Sequence, residues 1–230
     1  MDTEATSKNN NIVRYAIYDF DGTLLLKQTV PHLLKTWKKR GLGLQRYRKI
    51  YRTMIQQYFL YKFKIFGISQ KTFRLQAMQR LTELFSLISK EELQRFFDDA
   101  YRLAKPFLNT SVVKALKKDK KEGYHTVLLS GNYDVFLHRF KHLGFDTIVG
   151  TSLMDDQNKM IEKPSIIIGD KKIEALESLL PDLNWAHTKG YADAYYDLPI
   201  LSKVNKPIVV RPDKRLLRHA KRHNWTILGV

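Results

Sequence analysis

Apolar residues recur along the chain in two rhythms. Short apolar runs at 12–18, 124–129, 147–151, 185–191 and 207–211 have the length and the β-branched or aromatic content of buried strands. Between them, apolar positions spaced three to four residues apart predict helices over 111–122, 133–143, 170–180 and 213–223. Gly123 and Gly144 stand where a helix-ending glycine is expected, and Pro181 stops the helix after Leu180. Such alternation predicts an α/β fold with a Rossmann-like, mostly parallel sheet and helices on both of its faces.

The interval 27–105 breaks the alternation, because its pattern is helical throughout. Phe73, Ala77, Met78, Leu81, Leu84, Phe85 and Ile88 follow helical spacing, and Ser89-Lys90-Glu91-Glu92 has the form of a capping box. The helix it opens carries Leu93, Phe96, Phe97, Ala100 and Leu103 on one face. The expected organisation is therefore a disordered polar tail at 1–11 and an α/β catalytic core from 12–26 and 106–230. A helical cap at 27–105 is inserted after the first strand.

Composition narrows the chemistry. With 43% hydrophobic and 12% aromatic residues the chain can build a proper core. It has no Cys, which excludes disulfides, thiolate metal sites and cysteine nucleophiles and fits a cytoplasmic protein. No secretory signal or spanning segment is visible, so the expected location is the cytoplasm, extending to the inner face of the membrane. Forty Lys and Arg against 23 Asp and Glu give a formal charge of +17. That field attracts phosphates, nucleic acid or anionic lipid, unless it is simply a solubilising surface.

Four segments carry candidate chemistry. In Ile17-Tyr18-Asp19-Phe20-Asp21-Gly22-Thr23-Leu24, two carboxylates leave the end of the first strand on one face, and Gly22 and Thr23 turn the chain away. Such a pair can supply a nucleophile, a general acid/base and a magnesium ligand. Ser130 and Gly131 end the second strand, where a hydroxyl and a close backbone could hold a phosphate at the start of the 133–143 helix; an ordinary turn would look the same. Lys171 and Lys172 open the 170–180 helix, where a lysine could neutralise a phosphoryl group or could be solvated surface. Asp193 and Asp197 follow the fourth strand at a spacing that suits magnesium or helix capping.

An apolar strand followed by Asp-x-Asp-Gly-Thr resembles the signature of the haloacid dehalogenase superfamily of phosphatases. The other three segments follow in that superfamily's order. Lys172-Ile173-Glu174-Ala175-Leu176 is similar to its third motif, which selects Lys172 over Lys171, and Asp197-Leu198-Pro199-Ile200-Leu201 is similar to its fourth. The cap after the first motif, and Arg211-Pro212-Asp213-Lys214 with Asn224-Trp225, resemble the phosphoserine-phosphatase-like branch. The resemblance implies a magnesium-dependent phosphomonoesterase. Asp19 would form an aspartyl-phosphate, Asp21 would act as general acid and then base, and Ser130 and Lys172 would bind the phosphoryl group. Asp19, the Asp21 carbonyl and Asp193 would hold Mg2+ with support from Asp197. Gly22, Thr23, Gln28, Gly131 and Asn132 would shape the substrate site.

Two departures count against phosphoserine itself. Gln28 stands nine residues after Asp19, where phosphoserine phosphatases carry a glutamate, and Asn132 replaces a second glycine. The expected substrate is thus a small phosphorylated metabolite or lipid head group. Residues 47–66 add a clue: Tyr47, Ile50, Tyr51, Met54, Ile55, Tyr58, Phe59, Phe63 and Phe66 crowd one stretch, beside Arg46, Arg48, Lys49 and Arg52. The simpler expectation is a cap helix burying this stripe against its neighbours. The alternative is contact with an anionic membrane, as in a phosphatidylglycerophosphate-type lipid phosphatase. The charge also admits a nucleic-acid-binding module or a polynucleotide phosphatase, although no nucleic-acid-binding signature is present. His138/His142 and His219/His223 have zinc-compatible spacing but no evident third ligand, so exposed helix faces are expected.

Overall fold

The computed structural model describes residues 12–229; the tail expected at 1–11 lies outside them. The chain enters through strand β1 (Tyr15–Asp19), whose side chains alternate between two apolar layers. Ala16 and Tyr18 face one, and Tyr15 and Ile17 face the other. Four helices follow: α1 (Thr29–Arg40), α2 (Leu44–Lys62), α3 (Gln70–Phe85) and α4 (Lys90–Ala104). Gly41 ends α1 at φ 71, a left-handed position that favours glycine. Ser69 and Ser89 cap α3 and α4 by accepting from Thr72 N and Glu92 N. The reciprocal half of the expected capping box does not form, because the Glu92 carboxylate is drawn to Arg40 and Arg95.

After α5 (Thr110–Lys121) the chain alternates as the pattern predicts, with β2 (His125–Tyr133), a short α6 (Asp134–Leu137) and β3 (Thr147–Thr151). Then come α7 (Lys171–Leu179), β4 (Thr188–Ala192), α8 (Leu198–Lys203), β5 (Lys206–Val210), α9 (Lys214–Arg222) and β6 (Thr226–Leu228). All six strands are parallel, in the order β3-β2-β1-β4-β5-β6. The order reverses between β1 and β4, so a crevice opens beyond their carboxyl ends, where open α/β sheets bind ligands. Among the described residues no helix is long and apolar enough to cross a membrane.

Three local expectations change. The helix expected over 133–143 is one α-helical turn followed by a 3-10 stretch, His138–Leu143, and β2 runs on to Tyr133. The Arg139 guanidinium takes the Val135 carbonyl, the acceptor a continuing α-helix would use for its Arg139 amide. The fourth strand starts at Thr188 because Trp185–His187 is a 3-10 turn. Strand β6 was not anticipated, since three residues are too short to show a period.

A buried polar cluster ties the central strands to α5. Tyr18 and Tyr191 stack 4.2 Å apart on adjacent strands, and both hydroxyls donate to Asp119 Oδ2, at 2.5 and 2.8 Å. Lys189 Nζ donates to Asp119 Oδ1 at 2.7 Å and also reaches Glu122. Burial, with Asp119 adding to it, holds both phenols above their ordinary pKa. Asp119→Ala would leave two buried hydroxyls and a mostly buried ammonium short of an acceptor. The expected cost is about 3 kcal/mol of unfolding free energy in urea titration. A loss below roughly 1 kcal/mol would mean that Glu122 and water replace Asp119.

Candidate active site

The carboxyl ends of three neighbouring strands deliver two carboxylates and a hydroxyl. Asp19 ends β1, Ser130 lies near the end of β2, and Asp193 directly follows β4. In register, Asp19 pairs with Leu129 on one side, and Tyr18 pairs with Tyr191 on the other. Lys172 and Asp197 come from the start of α7 and the 3-10 turn before α8.

Lys172 is buried, and its Nζ donates to Asp19 Oδ1 and Asp197 Oδ1, each at 2.7 Å. Burial alone would lower this ammonium's pKa, but the two carboxylates hold it above its ordinary value. Lys171 instead reaches Ser165 at the surface. Burial pushes the Asp19 carboxyl up to about 6, with Lys172 pulling it down and Asp197 pushing it up. Burial, then Asp19 and Asp197, push Asp193 up to about 8.

Asp21 takes partners outside this cluster. Its Oδ1 accepts from Thr29 N at 3.0 Å and from the Thr29 hydroxyl, and its Oδ2 accepts from Asn132 Nδ2 at 3.2 Å. Burial raises its pKa against the pull of these hydrogen bonds and of Arg74. Asn132 Nδ2 also donates to Ser130 Oγ at 3.0 Å, so one amide links the first and second motifs. Asp21, held by the neutral donors Thr29 and Asn132, and Asp19, paired with the Lys172 ammonium, sit in different settings, an arrangement suited to separate acid and nucleophile roles.

The remaining residues named from sequence take varied places. Gly22 has φ +82, and a Cβ there would fall 2.0 Å from Asp193 Oδ2, so only glycine lets the loop lie against that carboxylate. Thr23 is buried, makes a long 3.4 Å contact to Asp193 Oδ1, and accepts from Asn109 through its carbonyl. Gly22 and Thr23 therefore buttress Asp193. A Cβ at Gly131 would meet the Ile167 carbonyl at 2.8 Å, so its closest approach is to the chain's own backbone. The helix start expected to favour an anion after Ser130 is a single turn, and the Asp134 carboxylate accepts from its Val135 amide.

Asp19, Asp21, Gln28, Ser130, Gly131, Asn132, Lys172, Asp193 and Asp197 all line one cavity of about 290 Å³. That is near the lower limit for drug-sized ligand sites and suits a small molecule. Its outer wall comes from α2 and α3, including Tyr58, Tyr61, Phe73 and Arg74. Tyr61 and Phe73 stack 5.2 Å apart, and Arg74 lies 5.1 Å over the Tyr196 ring. Sequence reasoning missed Arg74, Tyr61 and Thr29. Nothing local in the sequence marked them.

Ligand oxygens of Asp19, Asp193 and Asp197 lie within 4.8 Å of one another, the one metal-competent cluster among the described residues. Four carboxylates share this site, and Lys172 is the cation in contact with two of them. An all-oxygen, strongly negative and mostly buried donor set fits a hard divalent cation such as Mg2+. Both histidine pairs stand outside it: His138 and His142 are exposed, and His219 stacks on His223 and Trp225.

The profile of the haloacid dehalogenase-like hydrolases matches residues 16–202. The histidinol-phosphatase of Neisseria meningitidis serogroup C (strain 8013) is 29% identical over 155 residues, 61% of this chain and 68% of that protein. A protein of unknown function from Bordetella pertussis Tohama I superposes with a TM-score of 0.80 at 18% identity, covering 94% of this chain and 98% of that one. A phosphoserine phosphohydrolase-like protein from Francisella tularensis subsp. tularensis SCHU S4 superposes with a TM-score of 0.58 at 16% identity, covering 94% and 95%.

Proposed function

The chain belongs to the haloacid dehalogenase-like hydrolase family, and from that premise we propose that it is a magnesium-dependent phosphatase of small phosphomonoesters working through an aspartyl-phosphate. One observation carries the reading: Asp19, Asp193 and Asp197 converge with Lys172 at the floor of a small cavity. Residues 27–105 act as its cap over a core made of 12–26 and 106–230.

The Asp19 carboxylate attacks phosphorus, forming an Asp19–phosphorus bond as the bond to the leaving oxygen breaks. Asp21, whose raised pKa favours a resident proton, gives that proton to the leaving oxygen. Water then attacks the same phosphorus and passes a proton back to Asp21, releasing phosphate and restoring Asp19. Lys172 and Ser130 hold the phosphoryl oxygens, and Lys172 also aligns Asp19. Asp19, the Asp21 carbonyl and Asp193 would hold a magnesium ion, which would supply positive charge to offset that of the phosphoryl group. Asp197, with one oxygen committed to Lys172, would support it from behind. Arg74, Gln28 and the aromatic wall would receive the rest of the substrate, a phosphorylated metabolite or head group.

The test is phosphate release from p-nitrophenyl phosphate by EDTA-treated protein before and after Mg2+ is restored. Turnover that returns only with Mg2+ is expected. Turnover indifferent to Mg2+ would overturn the metal assignment. No release from this ester or from a panel of small phosphomonoesters would overturn the phosphatase reading.

A further inference from the structure

The stripe expected to be buried along α2 is buried only in part. Tyr47, Ile50 and Met54 pack inward, whereas Tyr51, Ile55, Tyr58, Phe59 and Phe63 form a second stripe that faces solvent. Exposure climbs from 37% at Ile55 to 50% at Phe59 and 64% at Phe63, just past the helix. The following turn, Ile65–Gly67, carries it further: Lys64 and Phe66 hold φ values of 54 and 56, which L-residues adopt at a cost, and Phe66 is 89% exposed. A strained turn that presents a phenylalanine to water serves no packing purpose here.

Charge singles out the same region. Residues 22–82 contain fourteen Lys and Arg and no Asp or Glu, so this segment accounts for most of the chain's +17. Arg48, Arg52, Lys62 and Lys64 are exposed along and just beyond the apolar stripe. Lys62 lies 5.9 Å over the Tyr58 ring.

We propose that this end of α2 and the turn after it dock on an anionic lipid bilayer. Phe59, Phe63, Ile65 and Phe66 would enter the boundary between head groups and acyl chains while the basic side chains meet lipid phosphates. A second copy of the chain fits poorly, because a two-fold contact would press one acid-free basic surface against another. A polynucleotide would satisfy the charge but offers no apolar phase for Ile55, Phe63 and Ile65. Tyr58 lies on the exposed stripe and also lines the cavity, so the docked face borders the cavity's rim. Docking does not depend on the catalytic reading.

Co-sedimentation of the full chain with vesicles tests this, comparing phosphatidylcholine alone with phosphatidylcholine containing phosphatidylglycerol. Binding is expected only to the anionic vesicles. Phe63→Ser with Phe66→Asn should weaken it by about tenfold or more, and Asn relieves the left-handed strain at 66, so the fold is kept. Arg48→Gln with Arg52→Gln should weaken it by roughly fivefold per charge removed. Neither pair touches the cavity, so phosphate release from a soluble ester should be unchanged in both variants. The proposal is overturned by equal binding to neutral vesicles or by none to either. Binding that ignores Phe63 and Phe66 and is displaced by polynucleotide would also overturn it and assign the surface to nucleic acid. Self-association that buries this face would instead assign it to a second copy.

Discussion

Asp19→Asn should lower kcat by about four orders of magnitude or more while leaving the protein folded. Asn keeps the shape of Asp but cannot form the acyl-phosphate bond on which both half-reactions of the proposed mechanism depend. Structure should survive for a separate reason. Burial already pushes the Asp19 carboxyl up to about 6, so its charged form is costly at neutral pH, and Lys172 keeps Asp197 as a partner. A change in unfolding free energy within about 1 kcal/mol is therefore expected alongside the loss of turnover. Trapping phosphate on the wild-type chain by acid quench, and failing to trap it on the variant, would tie the loss to the covalent step. Turnover that survives the substitution would sink the mechanism.

Lys172→Ala is the second large effect, and it has both a kinetic and a structural side. If Lys172 donates to the transferring group as proposed, its removal should cost roughly a hundred- to a thousandfold in kcat. It also strips Asp19 and Asp197 of their shared ammonium, which leaves buried carboxylates uncompensated at a cost of about 3 kcal/mol or more. The pH dependence follows from the raised Asp19 pKa. A carboxyl whose folded pKa lies above its unfolded value favours folding in its protonated form, and that advantage is lost as pH rises through the folded value. Without Lys172 the folded value climbs further above 6. The variant's deficit in Tm should then be small near about pH 5 and large near about pH 8. Added Mg2+ should recover part of it at the higher pH, because a cation again faces the carboxylates. A deficit independent of both pH and Mg2+ would mean that Lys172 contributes packing rather than charge.

Part of this site was legible because parallel α/β sheets place their ligands predictably. An acid just past an apolar run can reach the crevice where the run is a central strand, which marked Asp19 and Asp193 as candidates, and the resemblance of the motifs paired them. The helix-start position of Lys172 and the hydroxyl of Ser130 followed from the order of the motifs. The outer wall was not legible. Arg74 and Tyr61 lie on helices whose rotation is set by mutual packing, and no local spacing records which side covers the cavity. Asp119 was missed for a related reason: its three partners come from two strands and lie 70 to 101 residues away.

The sequence by itself determined the strand and helix alternation, the insertion of helices after the first motif, and the set of acids and lysine that meet at the cavity floor. The elements are local properties carried by the period of apolar residues, and the set of acids and lysine came from the motifs and their resemblance to a known family. Tertiary structure alone decided that Asp21 turns to Thr29 and Asn132 rather than to the acidic cluster, and that Gly22 and Thr23 brace Asp193. It also decided which of two adjacent apolar stripes on α2 is covered. A helix with two such stripes has the same periodicity whichever one its neighbours bury, so only their packing could leave Ile55, Tyr58 and Phe59 facing outward.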